Sequence, residues 1–319
     1  MSRPRIFIDG HAGTTGLRIR EWLASRDDLA IWTLDEHERK SEAARRKALA
    51  EADLTVLCLP DEAAVEAASW AAECDARLID ASSAHRVAEG WVYGLPELAP
   101  SQRDAIRNAR FVSNPGCYPT AFVTLVRPLV DAGLLRADAA LSIHALSGYT
   151  GGGKSLIERW EDPQAGRVGL PYEAPYALER VHKHVPEMHR YSGLAEAPFF
   201  VPAVGPFACG MRVEVAIPRA LLAPGATGEA VWQALADRYR GEPFVEVAAF
   251  RGLEPVDDFL LDPTALNGTN RLRLHALPNA AGHVLLVGLL DNLGKGASGA
   301  AIQSLNLMLG LDETTGLPR

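Results

Sequence analysis

Apolar runs and helically spaced apolar positions alternate along the first part of the chain. Arg5-Ile6-Phe7-Ile8-Asp9 reads as a buried strand, after which Leu17, Ile19, Trp22 and Leu23 recur at helical spacing. Ala30–Leu34 predicts a second strand and Ser41–Ala50 a second helix. Leu54-Thr55-Val56-Leu57-Cys58-Leu59-Pro60 is continuously apolar, as strands covered on both faces are. Asp61–Glu73 is rich in alanine, with Asp61 and Glu62 suited to a helix N-terminus. Arg77–Asp80 and Arg110–Val112 complete the set of strands. This alternation predicts a parallel sheet with right-handed crossovers, and a ligand crevice at the strand C-termini.

Past a buried helical face at Ala121–Val126 the rhythm changes. Strands are predicted at Ala139–Leu146, Met211–Ile217, Phe244–Phe250, Arg271–Leu277 and His283–Leu289, with one helix near Glu229–Tyr239. Strands in runs imply an α+β domain with a mainly antiparallel sheet. Gly296–Leu309 reads as a closing helix, with Ile302, Leu305 and Leu309 on one face. We expect it to pack back onto the first domain.

Composition narrows the picture. At 319 residues, 48% hydrophobic and 23% charged, the chain can bury one large core or two ordinary ones. A net charge of -8 argues against a nucleic-acid or anionic-membrane surface, so no nucleic acid and no membrane are expected as partners. The N-terminal residues lack the apolar run of a signal peptide, and Val284–Leu290 is too short to span a bilayer. The expected location is cytoplasmic. Four cysteines, at 58, 74, 117 and 209, have no metal-like spacing. No metal is expected, and three of the thiols read as inert.

Chemistry concentrates in three stretches. Between the first strand and helix, Gly10-His11-Ala12-Gly13-Thr14-Thr15-Gly16 can bring backbone N–H groups close to a pyrophosphate. Leu59-Pro60 and Ser82-Ser83 fall at the same edge of the sheet. After the second strand, Asp35 suits a ribose hydroxyl and Arg39 with Lys40 suits a 2′-phosphate, so the two point to different cofactors. In Ser113-Asn114-Pro115-Gly116-Cys117-Tyr118-Pro119-Thr120 a turn delivers a cysteine to a helix start, with Pro119 near the first turn. Free N–H groups and the helix dipole there favour thiolate, the nucleophilic form. Val181-His182-Lys183-His184-Val185-Pro186-Glu187 carries two histidines fit for proton transfer, with Glu187 spaced to orient His184. Ser147–Lys154 is a glycine loop whose lysine either meets an anion or is simply solvated.

The glycine loop, Asp80-Ala81-Ser82-Ser83-Ala84-His85-Arg86 and Asn114–Thr120 resemble N-acetyl-gamma-glutamyl-phosphate reductases of the shorter type. Ser147–Lys154, His182–Glu187 and Asn292–Gly299 extend the resemblance to the last helix. It implies an α/β fold class: a Rossmann-like parallel-sheet NADP-binding domain (1–116 with 296–319) and an α+β glyceraldehyde-3-phosphate-dehydrogenase-like catalytic and oligomerisation domain (117–295). It further implies NADPH-dependent reduction of an acyl phosphate through a Cys117 thioester, in a homodimer or homotetramer. His184 with Glu187 is the expected proton-transfer pair, and His182 a substrate contact or alternate base. Gly10, Gly13, Thr14, Thr15, Gly16, Pro60, Ser82 and Asn292 are the expected cofactor contacts, and Asn114, Arg86, Lys154 and Lys183 the expected substrate contacts. The competing readings are a sister enzyme acting on aspartyl or N-acetyl-aminoadipyl phosphate, and a non-catalytic nucleotide-binding protein.

Overall fold

The computed structural model describes residues 3–165, 170, 172–257 and 259–319. The chain divides into two compact units, Met1–Gly116 with Ala297–Pro318, and Cys117–Gly296 with Arg319.

The first unit is a six-stranded sheet in the order β2-β1-β3-β4-β6-β5, parallel throughout. Its strands are β1 (Arg5–Asp9), β2 (Ala30–Trp32), β3 (Leu54–Leu57), β4 (Leu78–Asp80), β5 (Val92–Tyr93) and β6 (Phe111–Ser113). Between them run α1 (Thr14–Leu23), α2 (Glu42–Glu51), α3 (Asp61–Ala72) and α4 (Gln102–Asn108). Ile6, Phe7 and Ile8 of β1 are wholly buried, as their apolar run requires. Ser41 caps α2 by accepting from the Ala44 N–H. The strand order reverses between β1 and β3, which makes their C-terminal ends the switch point where such sheets hold ligands. The sequence pattern misses β5 and α4: a two-residue strand has no period, and α4 is short and mostly polar.

The chain's last helix, α9 (Gly299–Met308), also belongs to this unit and is buried along its whole length. It packs against α1, α4 and β4. Asn306 binds Arg26 at 2.9 Å and Gln303 binds Glu97 at 3.1 Å. The predicted helix from Gly296 in fact starts at Gly299; a π-turn over Gly294–Ser298 precedes it. Such turns gather at functional sites.

The second unit opens with α5 (Cys117–Asp131) and continues through β7 (Ser142–Gly148), α6 (Lys154–Glu161), β8 (Ala174–Pro175), α7 (Val185–Ser192), β9 (Phe199–Gly205) and β10 (Met211–Ile217). It then runs through α8 (Gly228–Arg238), β11 (Val245–Val247), β12 (Leu272–Pro278) and β13 (Val284–Leu290). Its seven-stranded sheet has the order β11-β12-β13-β10-β7-β9-β8. Pairing is antiparallel except for β11 with β12 and β7 with β9. The pattern misses β9 because Pro202 lies in mid-strand, where it cannot donate to a ladder. Its carbonyl still accepts from the Tyr176 N–H at 3.1 Å.

Helix α5 contains a proline at 128. Proline has no N–H, so the Thr124 carbonyl four residues earlier loses its helical donor. The Tyr239 hydroxyl, at the end of α8, donates to that carbonyl at 2.8 Å. A helix defect is thereby turned into a tie between two helices.

Candidate active site

Cys117 is the first residue of α5, one position further into the helix than a cap. From Val112 to Val126 every other residue is buried, and Cys117 alone is partly exposed. The thiol is thus accessible in a stretch that otherwise shuts out water, at the positive end of an amphipathic helix. Gly296, from the π-turn, packs so closely that a Cβ there would come within 2.8 Å of the Cys117 Cβ. The neighbouring Lys295 is wholly buried, with Nζ 5.7 Å from the Phe244 ring centre. Cys58 makes the contrast: desolvation, reinforced by Asp80 and Asp9, pushes its thiol up to about 12. A thiol held there stays protonated and inert.

The histidines gather next to this helix start. His184 is the N-cap residue of α7 and is buried, whereas His182 is half-buried. Their rings meet edge to face at 4.8 Å. The Tyr118 ring lies 6.0 Å from His182, 5.6 Å from His184 and 5.0 Å from Phe200. Hydroxyls link the group: Tyr118 Oη is 3.2 Å from Tyr176 Oη, which is 3.3 Å from His182 Nε2. Burial, with the charges of Tyr176 and Cys117 nearby, pushes the Tyr118 phenol well above its ordinary range. Desolvation likewise carries Tyr176 up to about 12. Both therefore act as neutral hydroxyls at physiological pH. Ala177, directly after Tyr176, is the one non-glycine among the described residues at positive φ (54°). Strain of this kind collects where a side chain must be aimed. Glu187 is buried in the first turn of α7.

In the first unit the glycine loop follows β1 directly. Gly10 has φ +85°, and a Cβ on it would sit 2.3 Å from the Cys58 carbonyl oxygen. Gly16 packs its Cα side against the Gly10 carbonyl, with 2.8 Å left for any Cβ. Gly13 caps α1, where Thr14 and Thr15 form the first turn. Only glycine fits at positions 10 and 16, and the helix start that follows is open to an anion. Pro60 caps α3 at the end of the β3 edge. At the end of β4, Asp80 accepts from the Ser82 N–H at 2.9 Å and its hydroxyl at 2.7 Å, and holds His85 Nδ1 at 2.6 Å. His85 stacks on Trp91 at 4.1 Å. Asp61 does the same for Ser83, taking its N–H and hydroxyl at 2.9 and 2.6 Å. Arg86 is buried and donates to the carbonyls of Asn114 and Ala81 at 3.0 and 3.4 Å. Asn114 donates to the Ala297 carbonyl at 2.9 Å.

Three expected contacts are exposed or already engaged. Lys154 begins α6 with its side chain 83% exposed and pairs with Glu158 at 3.8 Å, the solvated alternative for that loop. Lys183 is exposed. Asn292 is buried and already engaged: it accepts from the Gly210 N–H at 2.8 Å and donates to the Thr150 hydroxyl at 3.1 Å. Its side chain ties the loop after β7 to the β9–β10 turn. Sequence reasoning missed Tyr118 and Tyr176 as members of the cluster. Tyr118 was inside the quoted motif, whereas nothing around Tyr176 marked it.

A sequence profile described as Semialdehyde dehydrogenase, dimerisation domain matches residues 117–292, and one described as Semialdehyde dehydrogenase, NAD binding domain matches 33–109. The chain is 49% identical to an N-acetyl-gamma-glutamyl-phosphate reductase of Trichormus variabilis, across 99% of this chain and 100% of the relative. It belongs to the N-acetyl-gamma-glutamyl-phosphate reductase family. A second relative of that name, from Pseudomonas putida, is 47% identical over 97% of the chain and 98% of its own length. In fold, the chain is similar to aspartate semialdehyde dehydrogenase II from Vibrio cholerae (TM-score 0.73, 16% identity, 97% and 99% of the two chains). It is also similar to the Candida albicans enzyme solved with NADP (TM-score 0.63, 15% identity, 97% and 99%).

Proposed function

We propose that the chain catalyses the NADPH-dependent reductive dephosphorylation of N-acetyl-glutamyl 5-phosphate to N-acetyl-glutamate 5-semialdehyde, a step of arginine biosynthesis. The observation that carries the reading is the partly exposed Cys117 at the start of α5, beside the tyrosine–histidine cluster. The Cys117 thiolate attacks the acyl carbon, and the N–H groups at the helix start receive the oxyanion. Collapse breaks the C–O bond to phosphate and leaves the acyl group on sulfur. When bound, NADPH supplies the hydride that reduces this thioester. The thiohemiacetal then breaks its C–S bond, releasing the aldehyde and restoring the thiolate. His182, the less buried histidine and the one bonded to Tyr176, is the better candidate for the group facing the reacting oxygen. His184 and Glu187, both buried, serve as its support.

The first unit fits a dinucleotide: a Cβ-free approach at Gly10 and Gly16, a free helix start at Thr14–Thr15, and a switch point between β1 and β3. Pro60 and Ser82 border that edge. Asp35, Arg39 and Lys40 all lie exposed in the turn after β2, with Arg39 paired to Glu36 at 3.1 Å; the basic pair is the feature there that suits the 2′-phosphate of NADP. Arg86 and Asn114 remain candidate substrate contacts. Units 1–116 with 297–318 and 117–296 then act as the cofactor and the catalytic domain. Homodimer or homotetramer assembly is supported by the matched dimerisation profile and by exposed Tyr172, Leu178, Val181 and Phe199 on and near the β8–β9 edge. Among the described residues no helix is long and apolar enough to cross a membrane; a cytoplasmic location accords with this.

The test is phosphate-dependent reduction of NADP or NAD with N-acetyl-glutamate 5-semialdehyde, run beside aspartate semialdehyde. Turnover of the acetylated substrate with NADP is expected. Preference for the aspartate compound, or no turnover at all, would reject the proposal.

A further inference from the structure

His182 belongs to a hydrogen-bond chain whose sense is set by a group that cannot reverse. The backbone N–H of His184 donates to His182 Nδ1 at 3.1 Å. A peptide N–H is a donor only, so Nδ1 has to present its lone pair. A proton on Nδ1 would set two N–H groups against each other across that distance. A neutral imidazole carries one proton, which therefore sits on Nε2. Nε2 is 3.3 Å from Tyr176 Oη, which accepts from it. The Tyr176 hydroxyl meets Tyr118 Oη at 3.2 Å, where either oxygen can be the donor. Tyr118 is bonded in turn to the Ser147 side chain. The Ser147 hydroxyl spends its own proton on the Gly148 carbonyl at 3.1 Å. The chain starts on a backbone N–H and ends on a backbone C=O, so all its protons can point one way.

We infer that His182 works as a neutral Nε2–H donor, locked in that tautomer by the His184 peptide, and that Tyr118 is the positioning residue that keeps Tyr176 turned to accept from it. Its meaning for catalysis rests on the thioester reading above. The oxyanion formed at the acyl carbon would take the Nε2 hydrogen bond in place of Tyr176; no bond of the imidazole breaks. With the Nδ1 lone pair taken by the His184 N–H, Nε2 in this tautomer acts as a donor to the reacting oxygen. The start of α5 carries the task of favouring thiolate.

The full chain labelled with nitrogen-15 histidine tests this directly, with His182 assigned by comparison with His182→Gln. Long-range proton–nitrogen correlation at about pH 8, where an ordinary histidine is neutral, should find Nε2 protonated and Nδ1 bare. The opposite tautomer, or an even mixture, overturns the inference. Glutamine puts an amide N–H where Nε2–H stands, and asparagine where Nδ1–H would. His182→Gln should keep at least about tenfold more turnover than His182→Asn, within the usual range for a positioned proton donor. Equal losses or the reverse order overturn it. Tyr118→Phe should lower kcat, leave KM unchanged and shift the His182 Nε2 resonance; an unmoved resonance rejects the positioning role. A wild-type chain with the Nε2–H tautomer but no NADPH-linked turnover would uphold the tautomer and reject the proposed reaction.

Discussion

A thiol serves as a nucleophile only where its anion is both stabilised and reachable, and the proposed nucleophile Cys117 is partly exposed at the first position of α5, a helix start of the kind that favours thiolate. Cys117→Ala should abolish NADPH-linked turnover with the semialdehyde. Cys117→Ser should leave only a trace, since a hydroxyl gains far less from a helix start; activity above a few per cent in either variant would contradict a thioester. For the histidines, His182→Asn should cost roughly a hundredfold or more in kcat. His184→Asn should cost less in kcat and more in melting temperature, because that side chain is buried at the cap of α7. Lys154→Ala should leave the KM for phosphate within about twofold, as expected for an exposed ion pair. A rise of tenfold would restore the lysine as an anion contact. The cysteine and the histidine pair were legible because their motifs are local. Tyr176 was not, since it meets Tyr118 from 58 residues away in sequence. Whether Lys154 was solvated depended on Glu158 one turn on, a partner that spacing permits without requiring.

At the scale of elements, the sequence pattern worked where an element was long and its environment uniform. Strand β3 is apolar and buried on both faces, and β10 was bounded to the residue. It failed where the backbone broke its own rule, as at Pro202 in β9, or where an element was too short to show a period, as in β5. One buried titratable group gives these strands a pH signature. His275, in β12, is 3% exposed, and desolvation, aided by Arg273 and Arg251 against Glu246, lowers its pKa to about 4. The folded state thus holds it neutral while the unfolded chain protonates it near 6.5. Between these values the unfolded state binds the extra proton, so stability is complete above about 6.5 and falls as pH drops towards 4. Denaturant midpoints measured at pH 7 and pH 5 should differ accordingly, and His275→Leu should flatten the difference.

For the whole molecule, the two-domain plan was legible from a change of rhythm, alternating first and then strands in runs. Less legible was how deeply the ends of the chain depend on each other. The buried helix α9 closes a sheet whose strands lie between residues 5 and 113. A chain stopped after Gly296 should therefore leave the first unit molten, with lost near-ultraviolet dichroism and dye binding, while residues 117–296 keep their sheet. A native first unit in that truncation would contradict the role given to α9. The same arrangement sets an order of events during synthesis. The ribosome finishes the catalytic segment before it makes the helix that the nucleotide fold needs, so the half of the protein translated first is the half that matures last.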